Sequence, residues 1–147
     1  MRIAIRNFII LFIIISIPAF ATDFTYDLKQ LDIHLKKGEY KDVLKLGSSV
    51  AQKAQREENW NAQGRALIYC AQASYSMRNP KEMKTFLENA IAIFKAHNDN
   101  TGLAKSYYVY SFYYLSNNDV EKMYQLLEIA SSYADKTSDV EVHIRIL

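Results

Sequence analysis

The sequence predicts an all-α protein built as a stack of antiparallel helical hairpins, and three observations carry that prediction. The 147-residue chain holds four glycines and two prolines, too few turn residues for sheets, which need a turn every few residues. Apolar residues recur at helical spacing through most of its length. The chain also aligns with itself at an offset of 40 residues, without a gap, so that turns, large positions and small positions coincide.

The first element is a secretory signal. Arg2 and Arg6 supply a basic start, Phe8–Ile17 is an apolar run interrupted by Ser16, Pro18 breaks it, and Ala19-Phe20-Ala21 places small residues at the two positions a signal peptidase reads. Cleavage is expected between Ala21 and Thr22. A retained anchor is the alternative, but spanning takes about 20 apolar residues, roughly twice this run. No cysteine stands near the cleavage site, which excludes a lipid anchor there. The expected location is therefore periplasmic or secreted, with no stable membrane span after cleavage. Of 18 Lys+Arg and 16 Asp+Glu the signal carries two arginines and no acid, leaving 16 of each sign. A protein that holds nucleic acid needs a concentrated basic face, and nothing in that balance suggests one.

The remaining chain reads as six helices, near residues 24–37, 40–56, 61–77, 80–97, 101–116 and 119–135. Between them stand Lys37-Gly38-Glu39, Glu57-Glu58-Asn59, Arg78-Asn79-Pro80, Asn98-Asp99-Asn100 and Asn117-Asn118-Asp119. These short breaks carry the residues that stop one helix and cap the next. Six helices on tight turns make either a closed bundle or an open stack of repeats, and the 40-residue offset favours the stack. It superposes Val43, Met83 and Met123; Leu46, Phe86 and Leu126; and Val50, Ala90 and Ala130. The hairpins then span 22–59, 60–99 and 100–139. Residues 140–147 align with the start of a fourth unit, although Val140, Val142, Ile144 and Ile146 also alternate as a strand would. On either reading the sequence ends on apolar residues with no polar cap, as a piece of a longer protein would.

A large apolar residue, a small residue, the turn Gly38-Glu39-Tyr40 and a second helix with a buried small residue together resemble the tetratricopeptide repeat, over roughly residues 23–139. Ala71 and Ser111 match the small site of the family's first helix, and Ala90 and Ala130 that of the second. The period of 40 rather than about 34, and Val43, Met83 or Met123 where the family has alanine, resemble a longer-helix variant found in bacterial regulators and sensors. The resemblance implies a right-handed α-solenoid of antiparallel helical hairpins, about three repeats plus the start of a fourth. It also implies a concave face, lined by the first helix of each hairpin, that binds peptides.

Two sequence features bear on that face. Tyr107–Leu115 holds six aromatics in nine residues. By the resemblance Tyr108, Phe112 and Leu115 face the groove, while Tyr107, Ser111 and Tyr114 face the stack. Tyrosine is amphipathic and enriched at interfaces, but packing under a neighbouring repeat accounts for the same pattern. Arg65, Lys105 and Arg145 recur at 40-residue intervals, a ladder suited to the carboxylates of an extended peptide or simply three solvated cations. Ile68 and Gln72 fall on the same expected face, Gln72 standing nearest to the asparagines of the family's carboxylate-binding members.

Nothing in the sequence indicates catalysis. His34, His97 and His143 are scattered, with no metal-ligand spacing. No phosphate loop, nucleophile elbow or paired-carboxylate pattern occurs. Cys70 has no partner cysteine and reads as a small buried apolar group. The expectation is no enzyme, no metal and no cofactor. What remains is an extracytoplasmic module for a protein or peptide partner, the sensor portion of a longer signalling protein such as a histidine kinase or helix-turn-helix regulator, or an assembly scaffold.

Overall fold

The computed structural model describes residues 23–139. Six helices follow in order: α1 (Thr25–Lys37), α2 (Tyr40–Arg56), α3 (Trp60–Ser76), α4 (Pro80–Ala96), α5 (Asn100–Ser116) and α6 (Val120–Ala134). The helix ends expected from the sequence fall within one residue of these. The signal segment, Val140–Leu147 and Arg145 lie outside the described residues, and no described helix is long and apolar enough to cross a membrane.

One turn, used five times, sets the architecture. Gly38, Glu58, Arg78, Asn98 and Asn118 have φ of 76°, 55°, 57°, 53° and 59°. Their spacing of 20 residues is half the sequence repeat. At each, the next residue's N–H reaches the carbonyl five positions back: Glu39 to His34, Asn59 to Ala54, Asn79 to Ser74, Asp99 to Phe94 and Asp119 to Tyr114, at 2.8–3.0 Å. This is the Schellman closure of a helix C-terminus. The same residue then begins the following helix. Asn59, Asn79, Asp99 and Asp119 accept the N–H three positions on, at 3.0, 3.3, 2.8 and 3.1 Å. Each such cap stabilises its helix by about 1 kcal/mol. Pro80, at the first helical position of α4, fits because no N–H is needed there.

Turns of two or three residues force successive helices antiparallel and adjacent. Each helix packs on its sequence neighbours, and in addition α3 touches α1 on one side and α5 on the other. Among the described residues α1 does not meet α5 or α6, so the helices do not close into a bundle. Nor do α2, α4 and α6 approach one another closely. The molecule is an all-helical, repeat-like array in two layers. The layer α1–α3–α5 is the more tightly spaced, so the array bends toward it and that layer forms the inner side.

Small residues let the helices approach. Ala71, Ala90 and Ala130, expected at crossings, are fully buried, and Ser111 is nearly so. At Gly47 a Cβ would collide with the Cys70 sulfur. Phe94 of α4 lies with its ring between Gly64 of α3 and Gly102 of α5, where a Cβ at either glycine would overlap the ring. Phe94 is fully buried, so α3, α4 and α5 are locked through one side chain.

The array is covered unequally at its two ends. Met83 and Leu87 of α4 are fully buried. Their 40-residue counterparts on α6, Met123 and Leu127, are half-exposed, and Val120, Tyr124 and Ile129 are 47%, 60% and 38% exposed. No described helix lies over that face of α6.

Candidate functional site

The inner layer carries one continuous groove. A cavity of about 590 Å³ runs over α1, α3 and α5. Along α3 its wall is Arg65, Ile68, Tyr69 and Gln72, the spacing of a single helix face. The equivalent positions 40 residues away line it too: Thr25, Leu28, Lys29 and Asp32 on α1, and Lys105, Tyr108 and Val109 on α5. A second cavity of about 210 Å³ continues toward the C-terminal ends of the same helices, walled by Leu35, Tyr40, Gln72, Tyr75, Ser76, Val109 and Phe112. Leu35, Gln72 and Val109 belong to both.

Of the seven residues expected on this face, Arg65, Ile68, Gln72, Lys105 and Tyr108 line the larger cavity and Phe112 the smaller. Leu115 does not join them. It is 46% exposed and lines neither cavity. Each cavity wall forms between consecutive first helices, and Leu115 sits on α5, the last of these among the described residues. Ile68 is only 8% exposed and serves as floor rather than rim.

Groove and packing roles coincide at the aromatics. The Phe112 ring lies 5.1 Å from Tyr108, edge to face, and 5.7 Å from Tyr75. Both partners remain partly open, so the trio makes an ordered aromatic wall whose rings already hold one another in place. On the opposite side Tyr107 stacks on Tyr133 of α6 at 5.8 Å, and Tyr114 sits beneath the Lys122 ammonium at 5.5 Å. Lys95 also caps the Tyr107 ring at 5.9 Å, and the hydrogen bond to that tyrosine raises the Lys95 pKa.

Charge in the groove is predominantly positive. Lys29, Lys36, Arg65 and Lys105 line it against the single acid Asp32. Asp32 is engaged by Lys36 at 2.6 Å, one turn away on α1. Lys105 bonds Asp139 at 3.1 Å. No acidic side chain among the described residues stands within ion-pair distance of Arg65 or Lys29.

The contribution of α1 was missed by sequence reasoning, although the 40-residue offset contained it. Thr25, Leu28, Lys29 and Asp32 are the counterparts of Arg65, Ile68, Tyr69 and Gln72, but only the leucine–isoleucine pair matches in chemistry. Outside the groove, the two histidines among the described residues, His34 and His97, lie at helix ends. His34 Nδ1 is 2.5 Å from Glu39 Oε2 across the α1–α2 turn, with Asp42 close by. His97 stacks on Trp60 at 4.6 Å. Cys70 is enclosed between α2 and α3, and burial pushes its thiol up to about 12.

Comparison with protein-family models, with curated proteins and with solved structures returned no match.

Proposed function

We propose that this chain is an extracytoplasmic protein-interaction module of the tetratricopeptide type, a right-handed α-solenoid that holds a peptide or protein partner on its concave face. The observation that supports the reading is the groove itself: α1 and α3 present the same four positions to one cavity and α5 presents three of them, with the fourth, Phe112, in the adjoining cavity, and the lining is both aromatic and cationic. Side chains of this kind are the ones that anchor interfaces, with aromatics and arginine carrying most of the energy. The reading involves no catalysis, no cofactor, no metal and no nucleic acid.

Its test is a titration against a partner recovered from the native envelope, with melting curves on the same samples. Replacing Tyr108 and Phe112 together by alanine is expected to weaken binding by roughly 2–4 kcal/mol. Replacing Arg65 and Lys105 by alanine is expected to slow association and flatten its salt dependence while the melting temperature holds. Full affinity in both double variants, with both folded, defeats the reading. The uncovered apolar face of α6 favours a second one, in which these hairpins are the sensor portion of a longer signalling protein and further chain packs there.

A further inference from the structure

The groove is not uniform along its length, and its two ends differ in the chemistry they offer. At the end where α3 and α5 begin stand Arg65 and Lys105, with Lys29 a turn further along on α1. Lys105 is paired with Asp139 at 3.1 Å and Asp32 with Lys36 at 2.6 Å, which leaves Arg65 and Lys29 with no ion-pair partner among the described residues. The first helices run in the same direction, and Arg65 and Lys105 each stand five residues into theirs, so the two cations lie at one level of the groove. At the other end, the smaller cavity presents Tyr75, Phe112, Leu35 and Tyr40, with no charged side chain in its wall. Arg65 and Tyr75 are ten positions apart on α3, about 15 Å at 1.5 Å per residue. An extended peptide covers that span in about five residues at roughly 3.3 Å each.

We propose, resting on the groove reading above, that the ligand is an extended segment of about five residues lying along the helix axes. It carries an Asp or Glu side chain at the Arg65 pole and an aromatic or large aliphatic side chain at the Tyr75–Phe112 pole. The acid is a side chain rather than a free C-terminus. A terminal carboxylate calls for amide donors beside the cation, and the one amide in the groove, Gln72, lies seven positions or about 10 Å beyond Arg65. Arg65, with no ion-pair partner among the described residues, is the group whose fork matches a carboxylate bidentately. Phe112 is held by Tyr75 and Tyr108, so the apolar pole is ordered before a ligand arrives, which lowers the entropic cost of binding.

The test uses the secreted protein and a set of N-acetylated, C-amidated peptides followed by calorimetry. The reference probe is Asp-Gly-Ser-Gly-Phe. Its variants replace Asp by Asn, replace Phe by Ala, reverse the order, or delete the three-residue spacer. Saturable binding of the reference is expected, with each variant about tenfold weaker. In the protein, Arg65→Ala should abolish the preference for Asp over Asn while keeping that for Phe over Ala, and Phe112→Leu should do the converse. Phe112→Leu keeps apolar volume, so a folded sample is available even where Phe112→Ala destabilises the domain. A free-acid version of the reversed Asn peptide, Phe-Gly-Ser-Gly-Asn, whose terminal carboxylate stands at the acid position, would by recovering affinity overturn the side-chain assignment in favour of a terminal carboxylate. Equal affinity across the set, or no saturation, overturns the two-pole inference. The broader groove reading fails separately, through the partner titration.

Discussion

Single side chains decide whether the hairpins can stack. Phe94 fills the space that Gly64 and Gly102 leave open, and its loss opens a cavity among α3, α4 and α5. Phe94→Ala is expected to cost about 3–5 kcal/mol. Gly64→Ala or Gly102→Ala should cost about 1–3 kcal/mol by overpacking the same ring. Because the three sites touch, Gly64→Ala should be partly rescued by Phe94→Leu in a double-mutant cycle read by denaturant unfolding. Additive costs would mean the ring does not bridge these helices. Cys70 gives a second check. Desolvation holds its thiol protonated in the folded chain up to about 12, against an ordinary 9.0. Above pH 9.0 the unfolded chain releases this proton and the folded chain keeps it, so stability falls as pH rises, by up to about 1.4 kcal/mol per unit until pH 12. Cys70→Ala should flatten that alkaline decline. The folded wild type should also resist alkylation at pH 8 and react fully in denaturant. Neither the glycine–phenylalanine lock nor the enclosure of Cys70 against Gly47 stood out in the sequence. Gly64 and Gly102 are not repeat-equivalent, and a glycine within a helix does not announce which ring approaches it.

At the level of the element, the helices were legible because their punctuation is chemical. Asn59, Asn79, Asp99 and Asp119 are residues whose side chains cap an N-terminus, and Gly38, Asn98 and Asn118 tolerate a left-handed backbone. Glu58 and Arg78 do not share that tolerance, so the 20-residue recurrence of the turn emerges only from the backbone. Their conformation predicts a gain. Each non-glycine residue there carries a steric penalty of about 1 kcal/mol, and the turn hydrogen bonds are made by backbone alone. Glu58→Gly and Arg78→Gly are therefore expected to raise stability by about 0.5–1 kcal/mol each, measured as a shift of the denaturation midpoint at unchanged slope. A loss of stability in both variants would mean the side chains hold the turns. Asn79→Ala, in contrast, removes both the cap of α4 and the 3.0 Å bond to Glu82, and should cost about 1 kcal/mol.

For the molecule as a whole, the two-layer array makes one face from parts of three hairpins, and no single hairpin contains the groove. That is why most of the candidate site was legible from a 40-residue offset and why two parts of it were not. The share of α1 was hidden because Thr25, Lys29 and Asp32 differ in chemistry from their counterparts. Leu115 was expected on the groove because its place in the repeat presumes a following hairpin, and among the described residues none covers it. The same asymmetry leaves Tyr124 and Ile129 open on α6, a second surface on which a partner would rest if the groove were not the binding face. Hydroxyl-radical footprinting of the tyrosines, with and without the recovered partner, separates the two faces directly. If the inner groove is the interface, Tyr75 and Tyr108 lose reactivity on binding, while Tyr26 and Tyr124, 69% and 60% exposed in the free chain, keep theirs. Protection of Tyr124 with Tyr75 and Tyr108 unchanged would contradict the account and move the binding site to the outer face of α6.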